Sequence, residues 1–173
     1  MRYANEYEAA FKFFDLDNNL AGFQTLENTF DKTVFENHEH IVLYHSTSDV
    51  FLDAIKADGI KPNGITGNLI GDDLETDPAI VYLHNWTCGN QKLYGRRAVD
   101  EFGGNPITLE CVVRLDDLAP DTNCISPPHL ELIADDKLQQ IIEGVSFGQF
   151  ACESMVSMLT RIFDQNENAT LLT

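Results

Sequence analysis

The chain has 173 residues, a length that suits one domain with a small extension, and 43% of them are hydrophobic, enough for a core without staples. Its 28 acidic residues stand against 11 lysines and arginines, a net charge of −17. That field repels nucleic acid and anionic membrane surfaces; it either favours a basic protein partner or serves solubility alone.

No apolar run reaches the length of about 18 residues that a membrane span needs, so none is expected. The first residues show no basic stretch followed by an apolar one, so no signal peptide is expected either. A cytoplasmic protein is the reading. The four cysteines, at 88, 111, 124 and 152, lack the close pairing of a zinc site. Reduced and mostly buried thiols are expected.

Residues 3–36 have helical periodicity. Tyr7, Ala10, Phe11 and Phe14 fall on one face, as do Phe23, Leu26 and Phe30, with a breaker at Asp15-Leu16-Asp17-Asn18-Asn19 between them. Two short amphipathic helices follow, packed on the rest of the chain. Ile41-Val42-Leu43-Tyr44-His45 reads as a strand bounded by Ser46-Thr47-Ser48. Ser48-Asp49 caps a helix with Val50, Phe51, Ala54 and Ile55 on one face, and Gly59 and Pro62 end it. Residues 63–78 read as a loop.

Ala79–Leu83 is a second strand, residues 89–102 a helix closed by Gly103-Gly104, and Ile107–Leu115 a third strand. In that strand Ile107, Leu109, Cys111, Val113 and Leu115 alternate with Thr108, Glu110 and Arg114, which puts Glu110 on a solvent face. Leu118-Ala119-Pro120-Asp121 is a turn, residues 129–143 an acidic helix that ends at Glu143, and Met155–Ile162 a last strand. Strands and helices interleave without a βαβ rhythm, so the class is α+β.

Some motifs fail on inspection. Asp15-x-Asp17-x-Asn19 matches the start of a calcium loop, but the required glycine and acid positions hold Leu20 and Leu26. His38-x-His40 brings no third ligand and reads as a surface pair. Arg96 and Arg97 read as ordinary helix-surface charge.

The region from residue 41 carries more. Tyr44-His45-Ser46-Thr47, a helix, then Gly59-Ile60-Lys61-Pro62, resembles the opening of the diphtheria-toxin-type ADP-ribosyltransferases, with Ser46 in place of the usual glycine. Val81-Tyr82-Leu83 resembles the next strand of that family, and Tyr94 its second, helical tyrosine. Ile107–Leu115, the turn at 118–121 and a last strand opening at Glu153 continue the order. The resemblance covers residues 40–163.

The resemblance implies a split, curved β-sandwich over residues 40–173, with residues 1–39 as a helical N-terminal extension. It implies NAD as co-substrate and transfer of ADP-ribose to a macromolecule. The net charge favours a protein acceptor over nucleic acid, in the manner of a toxin or a phage-encoded modifier. Glu153 would stabilise the oxocarbenium that forms when the nicotinamide–ribose bond breaks, and hold the sugar's 2-hydroxyl. His45 would bind a ribose hydroxyl. The backbone around Ser46 and Thr47, read as a turn, would orient the nicotinamide amide, and Tyr82 and Tyr94 would stack on its ring. Catalytic His45, Tyr82 and Glu153 would then line one cleft. Ala151, two residues before Glu153, stands where many relatives carry an acceptor-engaging Glu or Gln.

Two rivals explain parts of the same sequence. An RNA 2′-phosphotransferase-like enzyme shares a related fold and uses NAD, but needs basic residues that are scarce here. An acidic inhibitor or nucleic-acid mimic explains the charge but leaves the ordered His, Tyr and Glu to chance.

Overall fold

The structure, a computed structural model, describes residues 3–10, 12, 38–66, 77–85, 90–121, 127–133, 135–137, 140 and 149–172. Seven strands form one antiparallel sheet: β1 (His40–Ser48), β2 (Val81–His84), β3 (Pro106–Arg114), β4 (Leu118–Pro120), β5 (Gln149–Cys152), β6 (Leu159–Phe163) and β7 (Ala169–Leu171). Their spatial order is β4-β5-β2-β1-β3-β6-β7. The described helices are α1 (Ala4–Ala9), α2 (Leu52–Asp58), α3 (Asn63–Thr66), α4 (Asn90–Phe102) and α5 (Pro127–Ile133). The fold is therefore α+β, as the interleaved pattern implied.

Both faces of the central strands are buried, which is why Ile41-Val42-Leu43-Tyr44 is apolar without a break. Ile41 and Leu43 point into the larger core with Leu83, Leu109, Cys111, Phe150 and Ile55. Val42 and Tyr44 point the other way, into a cluster with Val112, Phe163, and Tyr7 and Ala10 at α1. Burial of this kind contributes roughly 25 cal/mol per Å² of apolar surface. Phe11, Phe14 and the segment 13–37 lie outside the described residues, and so do Cys88, Cys124 and Glu143. Cys111 and Cys152 are free and buried.

β1 is longer than its apolar run. Ser46, Thr47 and Ser48 pair with Thr108, Ile107 and Pro106 of β3, so they extend the strand instead of bounding it. The hydroxyls of Ser46 and Ser48 find partners inside the fold, which offsets the cost of burying them. Beyond Ser48 a 3-10 turn (Asp49–Phe51) leads into α2, with the Ser48 hydroxyl accepting from Val50 N at 3.4 Å. Asp49 binds Asn105 through both carboxylate oxygens. Gly104, at φ +82°, leaves no room for a Cβ against Asp49 and Ser48, so only glycine closes that corner.

Three expectations are corrected. Residues 118–121 are not simply a turn: Leu118–Pro120 form an edge strand paired with β5. The last strand does not start at Glu153 or Met155: it is Leu159–Phe163, paired with β3, and a separate strand, Gln149–Cys152, precedes it and pairs with β2. Glu110 is not on a solvent face; it is 1% exposed. Its carboxylate accepts from Thr160 Oγ1 at 2.7 Å and from Tyr44 OH at 3.4 Å, with Arg161 Nε 3.5 Å away. Tyr7, beneath the ammonium of Lys12 and the guanidinium of Arg161, packs with Tyr44 on this face of the sheet.

Candidate functional site at the parting of two central strands

β1 and β2 meet at one residue pair, Tyr44 with His84. The direction of the β1 backbone past that pair follows from the β1–β3 ladder. Asp49 N donates to Asn105 O and Leu115 N to Glu39 O, both at 2.9 Å. In an antiparallel ladder the bonded pairs alternate, so odd-numbered β1 residues turn their backbone groups to β3. Even-numbered ones turn theirs to the β2 side. Val112 N, donating to Met158 O on the far side of β3, fits the same alternation. The N–H and C=O of Ser46 thus face β2, where no register partner meets them.

The His45 ring stands in that gap. Its Nδ1 lies 3.0 Å from the carbonyl oxygen of Tyr82. A carbonyl only accepts, so Nδ1 carries the proton and Nε2 presents a lone pair. Burial pushes the His45 pKa below the ordinary histidine value, and the bond to the carbonyl opposes this. The ring is neutral at pH 7.

A cavity of about 390 Å³ opens beside it, lined by His45, Thr47, Ile55, Ile60, Ala98 and Phe102, and reaching Ser46. It is mostly apolar, and its size is that of a small-molecule pocket. Among the described residues its lining cation is Lys61, paired with Asp58 at 2.8 Å.

His84 lies two residues after Tyr82 and so shares its side of β2. Its Nδ1 is 3.0 Å from Asn85 O and its Nε2 2.9 Å from Ser46 Oγ. Burial lowers its pKa to about 4, with the nearby His45 adding to the effect and the bond to Asn85 O opposing it. The Tyr94 ring centroid is 6.4 Å from that of His84. Tyr82, half-buried, accepts from Asp77 N at 2.8 Å through its hydroxyl. Its pKa is raised, first by burial and then by Asp121 and Asp77, against the donor at Asp77 N.

The structure therefore brings the His45 ring to the Tyr82 backbone and places Ser46 and Tyr94 beside His84, but the side chains do not line one cleft: the Tyr82 ring lies on the Tyr44 face of the sheet, and His45 and Thr47 line the cavity on the other face. Ser46 and Thr47 sit in a strand, not a turn. Glu153 is placed differently from its expected position. The strand beside β2 opens with Gln149, opposite His84, and Glu153 follows its last residue, exposed in the connection to β6. The buried carboxylate whose charge acts on Tyr82 is Asp121, 7% exposed, just past β4. Arg96 is exposed and Arg97 half-buried, as surface charge should be. Sequence reading passed over His84, Asp121 and Gln149; for His84 the signal was available, because period two puts it on the Tyr82 face.

No protein-family model matches the chain, and no curated protein matches its sequence. Among the described residues no helix is long and apolar enough to cross a membrane.

Proposed function

We propose that the protein is an NAD-dependent ADP-ribosyltransferase that modifies a macromolecule, a basic protein rather than a nucleic acid, on a split β-sandwich of the ADP-ribosyltransferase type. The observation that carries the reading is the pair of Ser46 backbone groups facing the β1–β2 gap beside His45. A carboxamide offers one acceptor and two donors in a plane, the complement of a strand residue's N–H and C=O. Nicotinamide carries such a carboxamide on a flat ring, and Tyr94, beside His84, with Tyr82 two residues before His84, supplies the aromatic rings to stack on it. The His45 Nε2 lone pair accepts a ribose hydroxyl.

In the reaction the bond between ribose C1′ and the nicotinamide nitrogen breaks, and nicotinamide leaves with the electron pair. The acceptor's nucleophile forms the new bond to C1′ and loses its proton to a base or to water. Positive charge develops on the ribose between these events, so a carboxylate stabilises the transition state more than the ground state. Glu153 holds this role by its resemblance and Asp121 is the buried competitor on the Tyr82 side. The net charge of −17 draws a basic acceptor to the enzyme.

The test is incubation with NAD labelled in its adenylate half, alone and with a cell lysate. A labelled protein band, released nicotinamide and loss of both in His45→Ala support the reading. NAD binding without label transfer overturns it, and so does RNA-dependent nicotinamide release that leaves the label on phosphorylated ADP-ribose, which would favour the phosphotransferase-like rival. No binding at all would favour the acidic inhibitor.

A further inference from the structure

Resting on that reading, we propose that His84 is a positioning residue: through the side chain of Ser46 it sets the width of the β1–β2 gap and aims the Ser46 backbone at the nicotinamide carboxamide. Ser46 stands where the resemblance expects glycine, so this contact belongs to a side chain the family pattern lacks.

The proton order is determined by the partners. Asn85 O accepts from His84 Nδ1 at 3.0 Å, which leaves Nε2 as the acceptor of a neutral ring. The Ser46 hydroxyl donates to that Nε2 at 2.9 Å. Having given its proton, Ser46 Oγ accepts from Thr108 Oγ1, also at 2.9 Å. Ser46, His84 and Thr108 are all buried. One hydroxyl thus ties β1 to β2 on one flank and to β3 on the other.

This tie sits where the ladder is broken. Two residues back, Tyr44 and His84 are register partners and the strand spacing is set by backbone. At Ser46 the β2 carbonyl of Tyr82 is taken by His45, and the strands are held by side chains instead. Loss of the Ser46–His84 bond removes a buried polar link across the gap on the Tyr94 side. The Ser46 N–H and C=O would then be free to turn or to close onto β2, and a carboxamide would lose its matched pair.

The experiment compares NAD with ADP-ribose, which lacks nicotinamide, by calorimetric titration of the full chain and of Ser46→Ala. Ser46→Ala removes one oxygen, and its melting curve reports folding. The expected result is NAD binding weakened tenfold or more, with ADP-ribose binding within twofold of wild type. His84→Gln, whose amide oxygen can accept the Ser46 hydroxyl, should retain more NAD affinity than His84→Leu. Equal loss for both ligands, or no loss for either, overturns the positioning role and leaves the proposed activity standing. A wild-type chain that binds ADP-ribose and NAD equally well also overturns it. A wild-type chain that binds neither ligand overturns the proposed function and this inference together.

Discussion

The Nδ1 of His45 lies 3.0 Å from the carbonyl oxygen of Tyr82, so a side chain of β1 occupies a backbone acceptor of β2. In a continuous sheet that carbonyl would face a strand amide. Here the ring fills the place, and the β1–β2 register shows no pair beyond Tyr44 and His84 toward Ser46. Two of the three residues that sequence reading singled out for catalysis thus meet where the β1–β2 ladder stops.

His45→Ala removes both the ring that holds the gap and the Nε2 acceptor. NAD affinity should fall by roughly tenfold or more, the equivalent of about one lost hydrogen bond to a polar ligand. Titration calorimetry measures it. Unchanged affinity would remove His45 from the site.

Tyr82→Ala should weaken NAD binding by about 1 kcal/mol through lost stacking. Tyr82→Phe keeps the ring but leaves the Asp77 N–H without its acceptor. Its cost should appear in thermal stability, about 1 kcal/mol, and hardly in NAD affinity. Equal affinity losses in the two variants would move the role from the ring to the hydroxyl.

Glu110 tests whether a buried acid in this sheet is chemical or structural. Glu110→Ala removes a carboxylate that Thr160, Tyr44 and Arg161 share and should cost about 3 kcal/mol in denaturant unfolding. Glu110→Gln should cost less and leave NAD turnover within twofold. A turnover loss of about 100-fold in Glu110→Gln, the scale of one lost electrostatic group, would make it the catalytic acid.

The helices α2 and α4 and the long strands β1 and β3 were legible because each carries its own periodicity, whereas the short α3 lay in a stretch read as loop. Ile107–Leu115 is a strand for the reason read from it, alternation, yet its polar face proved buried. Nothing within residues 107–115 reveals that Tyr7, a hundred positions earlier, covers that face. Ser46-Thr47-Ser48 looked like a boundary because hydroxyls favour turns; the partners of Ser46 and Ser48, namely His84, Thr108 and Gly103, lie far along the chain. Glu153 looked like the start of a strand because apolar residues follow it, and only the pairing with β2 shows that the strand precedes it. His45, Tyr82 and Tyr94 were singled out by motif order, whereas the contact of His84 with Ser46 needed the register.

Acidification should destabilise the protein through His84. Its folded pKa of about 4 lies below the ordinary value of 6.5, so between these the unfolded chain binds a proton that the folded chain refuses. Stability from this group is therefore present above pH 6.5 and lost as pH falls toward 4, by about 3 kcal/mol at most. His45, lowered for the same reason, acts in the same direction. Glu110, raised by burial, acts oppositely: its cost is present at neutral pH and relieved as pH falls through its raised folded pKa. Ring nitrogen shifts of His84 followed by NMR from pH 7 to 4 separate it from the others. A protonated ring at pH 6 would contradict its place in the Ser46 bond.

The identity of the acid divides between an exposed and a buried carboxylate. Glu153→Gln should slow NAD cleavage by roughly 10²-fold with NAD affinity kept, as loss of a charge felt mainly in the transition state requires. The same loss in Asp121→Asn, with Glu153→Gln unaffected, would assign the role to Asp121 instead. Single-turnover rates on the two variants decide it.

The most direct test of the whole account is nicotinamide release from NAD by the wild-type chain, measured chromatographically under single-turnover conditions with a basic protein as acceptor. The account predicts stoichiometric nicotinamide release with ADP-ribose recovered on the acceptor. Saturating NAD left intact by a folded wild-type chain would contradict it.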